Sequence, residues 1–299
     1  MPDFRWPPPP ERDPRRAGVS RTPPQPGRRP PLPPPPTTLS PTPHGVTLEQ
    51  AITGAGAPVT VFAHGLAQDI THTRPLGSAV TGRKVFFQFR GHGRSDAPDG
   101  EWSYEDLARD LRAVADLAAA TRAVGASLGA GALCRLLIDS PDRFDRVVLY
   151  LPAVLDQPDG PAARRLAALL TAAQAQDVGV VSDAVYHELP PPVRHSQQAW
   201  DYLSSRLEQL LQDPLSRGYA GLPDQVPVPD LDALAKVDVP ALVIGAVADP
   251  MHPASVARRL AEALPRARLH VYDKPGAFWC HRADLRERIS SFLNAPDLD

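Results

Sequence analysis

Apolar residues in this chain fall into short, nearly continuous runs, with stretches of helical spacing between them. The runs are residues 58–65, 84–89, 122–126, 146–151, 241–245 and 268–272. Most are rich in Val, Phe, Ile or Leu, and two end at glycine. That pattern predicts buried strands of a parallel sheet. Residues 46–53 instead alternate apolar and polar positions, as an outer strand does. Between the runs, Leu107, Leu111, Val114 and Leu117 recur at helix spacing after Ser103, with Glu105 and Asp106 in the first turn. Serine there is a fitting N-cap, and early acids favour the positive end of the helix dipole. Residues 254–264 and 284–293 have the same helical character. Strands alternating with helices define an α/β class, a mostly parallel central sheet with helices on both faces.

One segment breaks the alternation. Residues 155–232 contain no strand-like run. Residues 161–176 and 195–212 are helical instead, and Pro190 to Pro192 separate them. This reads as a helical cap inserted into the α/β core, which then comprises residues 44–154 and 233–299. Insertions of this kind often cover a site. Trp200 and Tyr202 in the second helix are candidate pocket residues.

Composition changes the picture at one end. Seventeen of the 37 prolines fall in residues 1–43, with seven Arg against three acids. Such a segment favours polyproline II and is expected to be a disordered tail outside the fold. Its Arg-flanked proline runs fit an SH3-like groove; the plainer reading is a dispensable tail. The chain has 29 Arg and three Lys, and its only methionines are Met1 and Met251. Translation is therefore expected to begin further in, near Val19 or Val46.

The net charge of −2 divides into a basic tail and an acidic body, which argues against a nucleic-acid groove. No run of 18 apolar residues points to a membrane span. Cys134 and Cys280 are too few for a disulfide framework and lack metal-ligand spacing, so a reducing cytoplasm is the expected setting.

Candidate chemistry centres on Gly125-Ala126-Ser127-Leu128-Gly129, at the junction of a strand and a helix. A serine at the apex of such a turn projects above the strand end, where the helix N-terminus also points. The two glycines remove side chains that would clash across the turn. Serine needs a base, and the base needs an orienting group. His281, between the last strand and last helix, is the expected base, and His252 is the second choice. Asp249, after the 241–245 run, is the expected acid, with Asp156 as the alternative. His64 and His92 follow strands and are expected near the pocket; His270 lies within a strand and is expected to pack.

The order Ser127, Asp249, His281, together with His64-Gly65 and the 90–96 turn Arg-Gly-His-Gly-Arg-Ser-Asp, resembles the α/β-hydrolase family over residues 46–294. The resemblance implies an oxyanion hole built from the backbone N–H groups of Leu66 and Leu128, beside Gly65. It implies no metal and no organic cofactor. One departure is that Cys280, not glycine, precedes His281; Cys280 is expected to pack. Ser127 differs from the Asp nucleophile of haloalkane dehalogenases and epoxide hydrolases. The expected activity is cleavage of a small carboxylic ester or lactone through an acyl-enzyme. Alternatives on the same residues are acyl transfer or perhydrolysis, or a non-catalytic receptor or scaffold.

Overall fold

The computed structural model describes residues 36–158 and 160–296. Eight strands form one sheet: β1 (Thr37–Pro41), β2 (Thr47–Thr53), β3 (Val59–Ala63), β4 (Arg83–Phe87), β5 (Arg122–Ala126), β6 (Arg146–Tyr150), β7 (Ala241–Ala246) and β8 (Ala267–Tyr272). Their order is β1-β2-β4-β3-β5-β6-β7-β8. The β1–β2 and β2–β4 pairs are antiparallel, and every other pair is parallel.

Ten α-helices accompany the sheet among the described residues: α1 (Ile70–Thr73), α2 (Tyr104–Leu117), α3 (Leu128–Asp139), α4 (Gly160–Gln174), α5 (Val178–Glu188), α6 (Gln197–Leu210), α7 (Asp213–Gly218), α8 (Ala254–Ala263), α9 (Ala277–Cys280) and α10 (Arg282–Asn294). Successive strand residues point to opposite faces, and both faces are covered. Val61, Val85, Val147 and Val243 join a core with Leu107 and Leu111 of α2, Leu133 of α3 and Leu260 of α8. Their neighbours Phe62, Phe86, Val148 and Ile244 join a second core with Ile70 of α1 and Leu285 and Ile289 of α10. This is why the central runs show no alternation in the sequence.

α2 begins as its sequence dictates: Ser103 and Asp106 form a reciprocal capping box. Its Asp110 is fully buried and accepts from Arg90 through Nε at 2.9 Å and Nη2 at 2.8 Å. His44 Nε2 lies 2.9 Å from the same carboxylate. Thus α2 is tied to the loop after β4, on the edge of the sheet where the strands end.

Between β6 and β7 the chain makes α4 to α7 and short 3-10 turns, with no strand among the described residues. Two features depart from expectation. Thr37–Pro41, placed by composition in the disordered tail of residues 1–43, is a strand in register with residues 47–51 of β2. An outermost strand tolerates proline, because the missing N–H faces no neighbour. Arg94 Nη2 also donates to Thr37 Oγ1 at 2.6 Å. Residues 1–35, which carry most of the tail and its proposed SH3-like runs, lie outside the described residues. The other departure is α5, a helix that the spacing did not indicate. Its apolar residues, Val178, Val180, Val181, Ala184, Val185 and Tyr186, fall all round the helix rather than along one stripe.

Candidate active site

The site forms where β3, β5 and β7 end. β5 passes through Ala126 directly into α3, with Ser127 at the corner. Its backbone lies at φ 51° and ψ −111°, a conformation that a non-glycine residue holds only when its surroundings impose it. They do so here. Ser127 N–H donates to the Tyr150 carbonyl at 2.9 Å, and Gly129 N–H to the His64 carbonyl at 3.1 Å. The glycines are needed for space. A Cβ on Gly125 would lie 2.4 Å from the Gly129 carbonyl oxygen, and one on Gly129 would lie 2.4 Å from that of Ala63. This junction therefore requires both glycines.

Asp249 and His252 come from the loop after β7. Asp249 Oδ1 accepts the Met251 N–H at 3.0 Å and the His252 N–H at 2.9 Å, which folds the loop back on itself. The same oxygen lies 2.9 Å from His252 Nδ1. A carboxylate can only accept, so Nδ1 carries the proton and Nε2 is left as an acceptor. Nε2 lies 2.8 Å from Ser127 Oγ. The chain of contacts is Asp249, His252, Ser127.

The histidine beside Ser127 is therefore not the expected one. His281 does not hydrogen-bond to Ser127; its ring stacks on Tyr272, 4.8 Å between centroids and 17° between planes. The cause is local. After Gly276, at φ 75°, the chain forms the short helix α9 and places His281 at the start of α10. Gly276, Phe278 and Trp279 line a second cavity that Asp249 and His252 also border. The signal for His252 was present in the sequence as an Asp–His spacing of three, which one turn brings together. The alternative acid Asp156 is engaged elsewhere, with Arg259 Nη2 at 2.7 Å.

Electrostatics fit the arrangement. Burial opposes a charged His252, but the Asp249 charge and hydrogen bond prevail and hold its pKa above the ordinary 6.5. Burial likewise opposes charge on Asp249, and the His252 ring with two backbone N–H groups holds its pKa below the ordinary carboxylate range.

The expected oxyanion residues flank Ser127. A Cβ on Gly65 would lie 3.3 Å from Ser127 Cβ, so this loop passes directly beside the serine. The Leu128 N–H is the first of α3 and has no partner within its helix. No hydrogen bond within the described residues engages the Leu66 N–H.

His64 and His92 do not line the cavity; both are fully buried beneath the loop. His64 Nε2 accepts the Phe89 N–H at 3.1 Å and its Nδ1–H donates to the Gly65 carbonyl at 2.8 Å. His92 Nε2 accepts the Ala67 N–H at 3.0 Å. Burial lowers the His64 pKa to about 4 and takes that of His92 well below 6.5. Both therefore act as neutral struts.

A cavity of about 110 Å³ opens over Ser127. Leu66, Leu128, Val154, Leu166, Leu222 and Met251 supply apolar walls, and Gln68, Glu188, Arg206 and Gln225 supply polar ones. Tyr202 lines it, as expected. Trp200 does not, because two helix residues turn it about 200° away from Tyr202. Glu188 and Arg206 were not singled out in the sequence; nothing in their spacing marks them.

The model of the alpha/beta hydrolase family matches residues 60–286, and the chain belongs to that family. Among solved structures it is similar to the enol-lactonase of Burkholderia xenovorans LB400, at 24% identity and a TM-score of 0.72, covering 86% of this chain and 100% of that one. It is also similar to the esterase RhEst1 of Rhodococcus sp. ECU1013, at 21% identity and a TM-score of 0.72, covering 87% and 98%. A protein of Caulobacter segnis named "Putative carbamate hydrolase RutD" is 34% identical over 101 residues, 32% of this chain. The matched region spans 38% of that relative's length. No helix among the described residues is long and apolar enough to cross a membrane.

Proposed function

We propose that this hydrolase cleaves a small carboxylic ester or lactone, with Ser127 as nucleophile, His252 as base and Asp249 as orienting acid. The observation that carries the reading is the pair of contacts at His252, 2.9 Å to Asp249 and 2.8 Å to Ser127. Ser127 Oγ attacks the carbonyl carbon and its proton passes to His252 Nε2. Asp249 holds the imidazole in the required tautomer and stabilises the imidazolium. The N–H groups of Leu66 and Leu128 receive the developing oxyanion. His252 then gives the proton to the leaving alkoxide, and water attacks the acyl-enzyme with the same base.

The apolar walls above Ser127 suit a short aliphatic or aryl group. The enol-lactonase and esterase likenesses agree with this substrate class, while their identities, below one quarter, speak to fold. The helical insertion between β6 and β7 closes over the serine as a cap, since Leu166, Glu188 and Arg206 all reach the cavity. The test is fluorophosphonate labelling of wild type and Ser127→Ala, followed by a panel of esters, lactones and carbamates graded by chain length. Labelling that depends on Ser127, with turnover of short esters or lactones, is the expected result. Absence of labelling in the wild type contradicts the enzyme reading.

A further inference from the structure

The loop between β3 and α1 carries the Leu66 N–H, yet residues 64–69 have no regular secondary structure. Something else must fix their position. Ala67 sits at φ 52°, a strained value for alanine that persists only where contacts impose it. The peptide joining Leu66 to Ala67 is gripped from both ends. Its N–H, that of Ala67, donates to His92 Nε2 at 3.0 Å from the sheet side. Its carbonyl, that of Leu66, accepts from Arg206 Nη1 at 2.7 Å from the opposite side.

Arg206 belongs to α6, in the helical insertion. Tyr202, Ser205 and Arg206 occupy positions i, i+3 and i+4, so they share one helix face. Ser205 Oγ donates to Asp69 Oδ2 at 3.3 Å. Tyr202 lines the cavity beside Gln68, whose Oε1 accepts the Gly65 N–H at 3.1 Å. Arg206 is buried, and its charge is matched by Glu188 at the end of α5, 3.0 Å from Nη2. A buried guanidinium with a matched carboxylate has few alternative placements.

We propose that Arg206, held by Glu188, is a positioning residue for the oxyanion hole: from the insertion it locks the Leu66–Ala67 peptide and so aims the Leu66 N–H at the reacting carbonyl. The inference rests on the reading of Ser127 as nucleophile. It means that the catalytic constellation is complete only when α6 is seated on the loop. A donor misplaced by about 1 Å costs up to about 10²-fold in rate.

Two variants test it. Arg206→Lys keeps the charge but cannot grip both the Leu66 carbonyl and Glu188 with the same fork. The double variant Glu188→Gln/Arg206→Met removes both charges and leaves no unpaired buried ion. Each is compared with wild type for kcat and KM on a short-chain aryl ester, inhibition by a short-chain boronic acid, and the rate of fluorophosphonate labelling at Ser127. The expected result is a parallel fall in kcat, boronate affinity and labelling rate. The fall is about 10²-fold in the double variant and smaller in Arg206→Lys, with KM nearly unchanged in both. Wild-type kcat and boronate affinity in either variant would overturn the proposal. So would a rise in KM at constant kcat, which would place Arg206 in substrate binding. A wild type that does not label at Ser127 would instead overturn the underlying hydrolase reading.

Discussion

At the residue scale, the proposed chemistry turns on two atoms of one imidazole. His252 Nδ1–H is committed to Asp249, so Nε2 can serve only as an acceptor toward Ser127. Asp249 keeps the imidazolium favourable despite burial, so the His252 pKa stands above 6.5. In the proposed mechanism the neutral form is the base. Activity should therefore rise with pH along an acid limb whose midpoint in kcat/KM lies above 6.5, measured on a non-titrating ester. A midpoint well below that value would show that Asp249 does not bias the ring. The glycines of the turn give a second expectation. Gly129→Ala places a methyl against the Ala63 backbone, so the β5–α3 junction must shift. A loss of about 1–3 kcal/mol in denaturant unfolding, with loss of activity, is expected. An unperturbed variant would mean that the turn has more room than its contacts indicate.

At the element scale, α2 is fastened by a charge that has no access to water. Asp110 faces Arg90 and His44 from a fully buried position. Asp110→Ala leaves Arg90 buried without its main partner, and a loss of about 3–5 kcal/mol is expected in chemical denaturation. A cost below about 1 kcal/mol would show that Asp106, 3.2 Å from Arg90 Nη1, takes over.

The same scale shows what the sequence reveals and what it hides. The central strands were legible because burial on both faces leaves unbroken apolar runs, as in residues 147–150 and 241–246. Ser127 was legible because strand, glycine-flanked turn and helix follow one another without a gap. β1 was hidden because an edge strand needs little apolar content, and its one proline and two threonines match a tail in composition. His281 was expected beside Ser127, and the structure brings His252 there instead, for a different reason. Order along the chain favours the loop after β8, whereas one turn after β7 brings Asp249 and His252 together. No periodicity reports which histidine a loop turns inward. Arg206 was invisible because its proposed role depends on a carbonyl 140 residues away in sequence.

At the scale of the whole molecule, the sheet and the helical insertion meet across the loop after β3, with neutral histidines beneath and Arg206 above. The buried histidines give this assembly an acid limit. Burial holds His64 at about 4 when folded, against 6.5 in an unfolded chain. The unfolded state binds the extra proton first, so His64 supports stability fully above pH 6.5, and that support is lost as the pH falls toward 4. His92 shifts in the same direction. Melting temperature should decline across that window. His64→Gln should flatten the decline, and an unchanged slope in that variant would assign it to other groups.

The edge of the sheet sets a further expectation. A chain starting at residue 44 lacks β1 and the Thr37 contact to Arg94. It should melt about 5 °C below a chain starting at residue 36. Equal melting temperatures would mean that β1 contributes nothing to stability.

In the proposed mechanism the base acting on Ser127 is His252. The most direct test is kcat on one activated aryl ester for His252→Ala and His281→Ala, measured side by side with wild type. The expected result is a loss of about 10⁴-fold or more in His252→Ala and a rate near wild type in His281→Ala. The reverse pattern, with His281→Ala inactive and His252→Ala active, would contradict it.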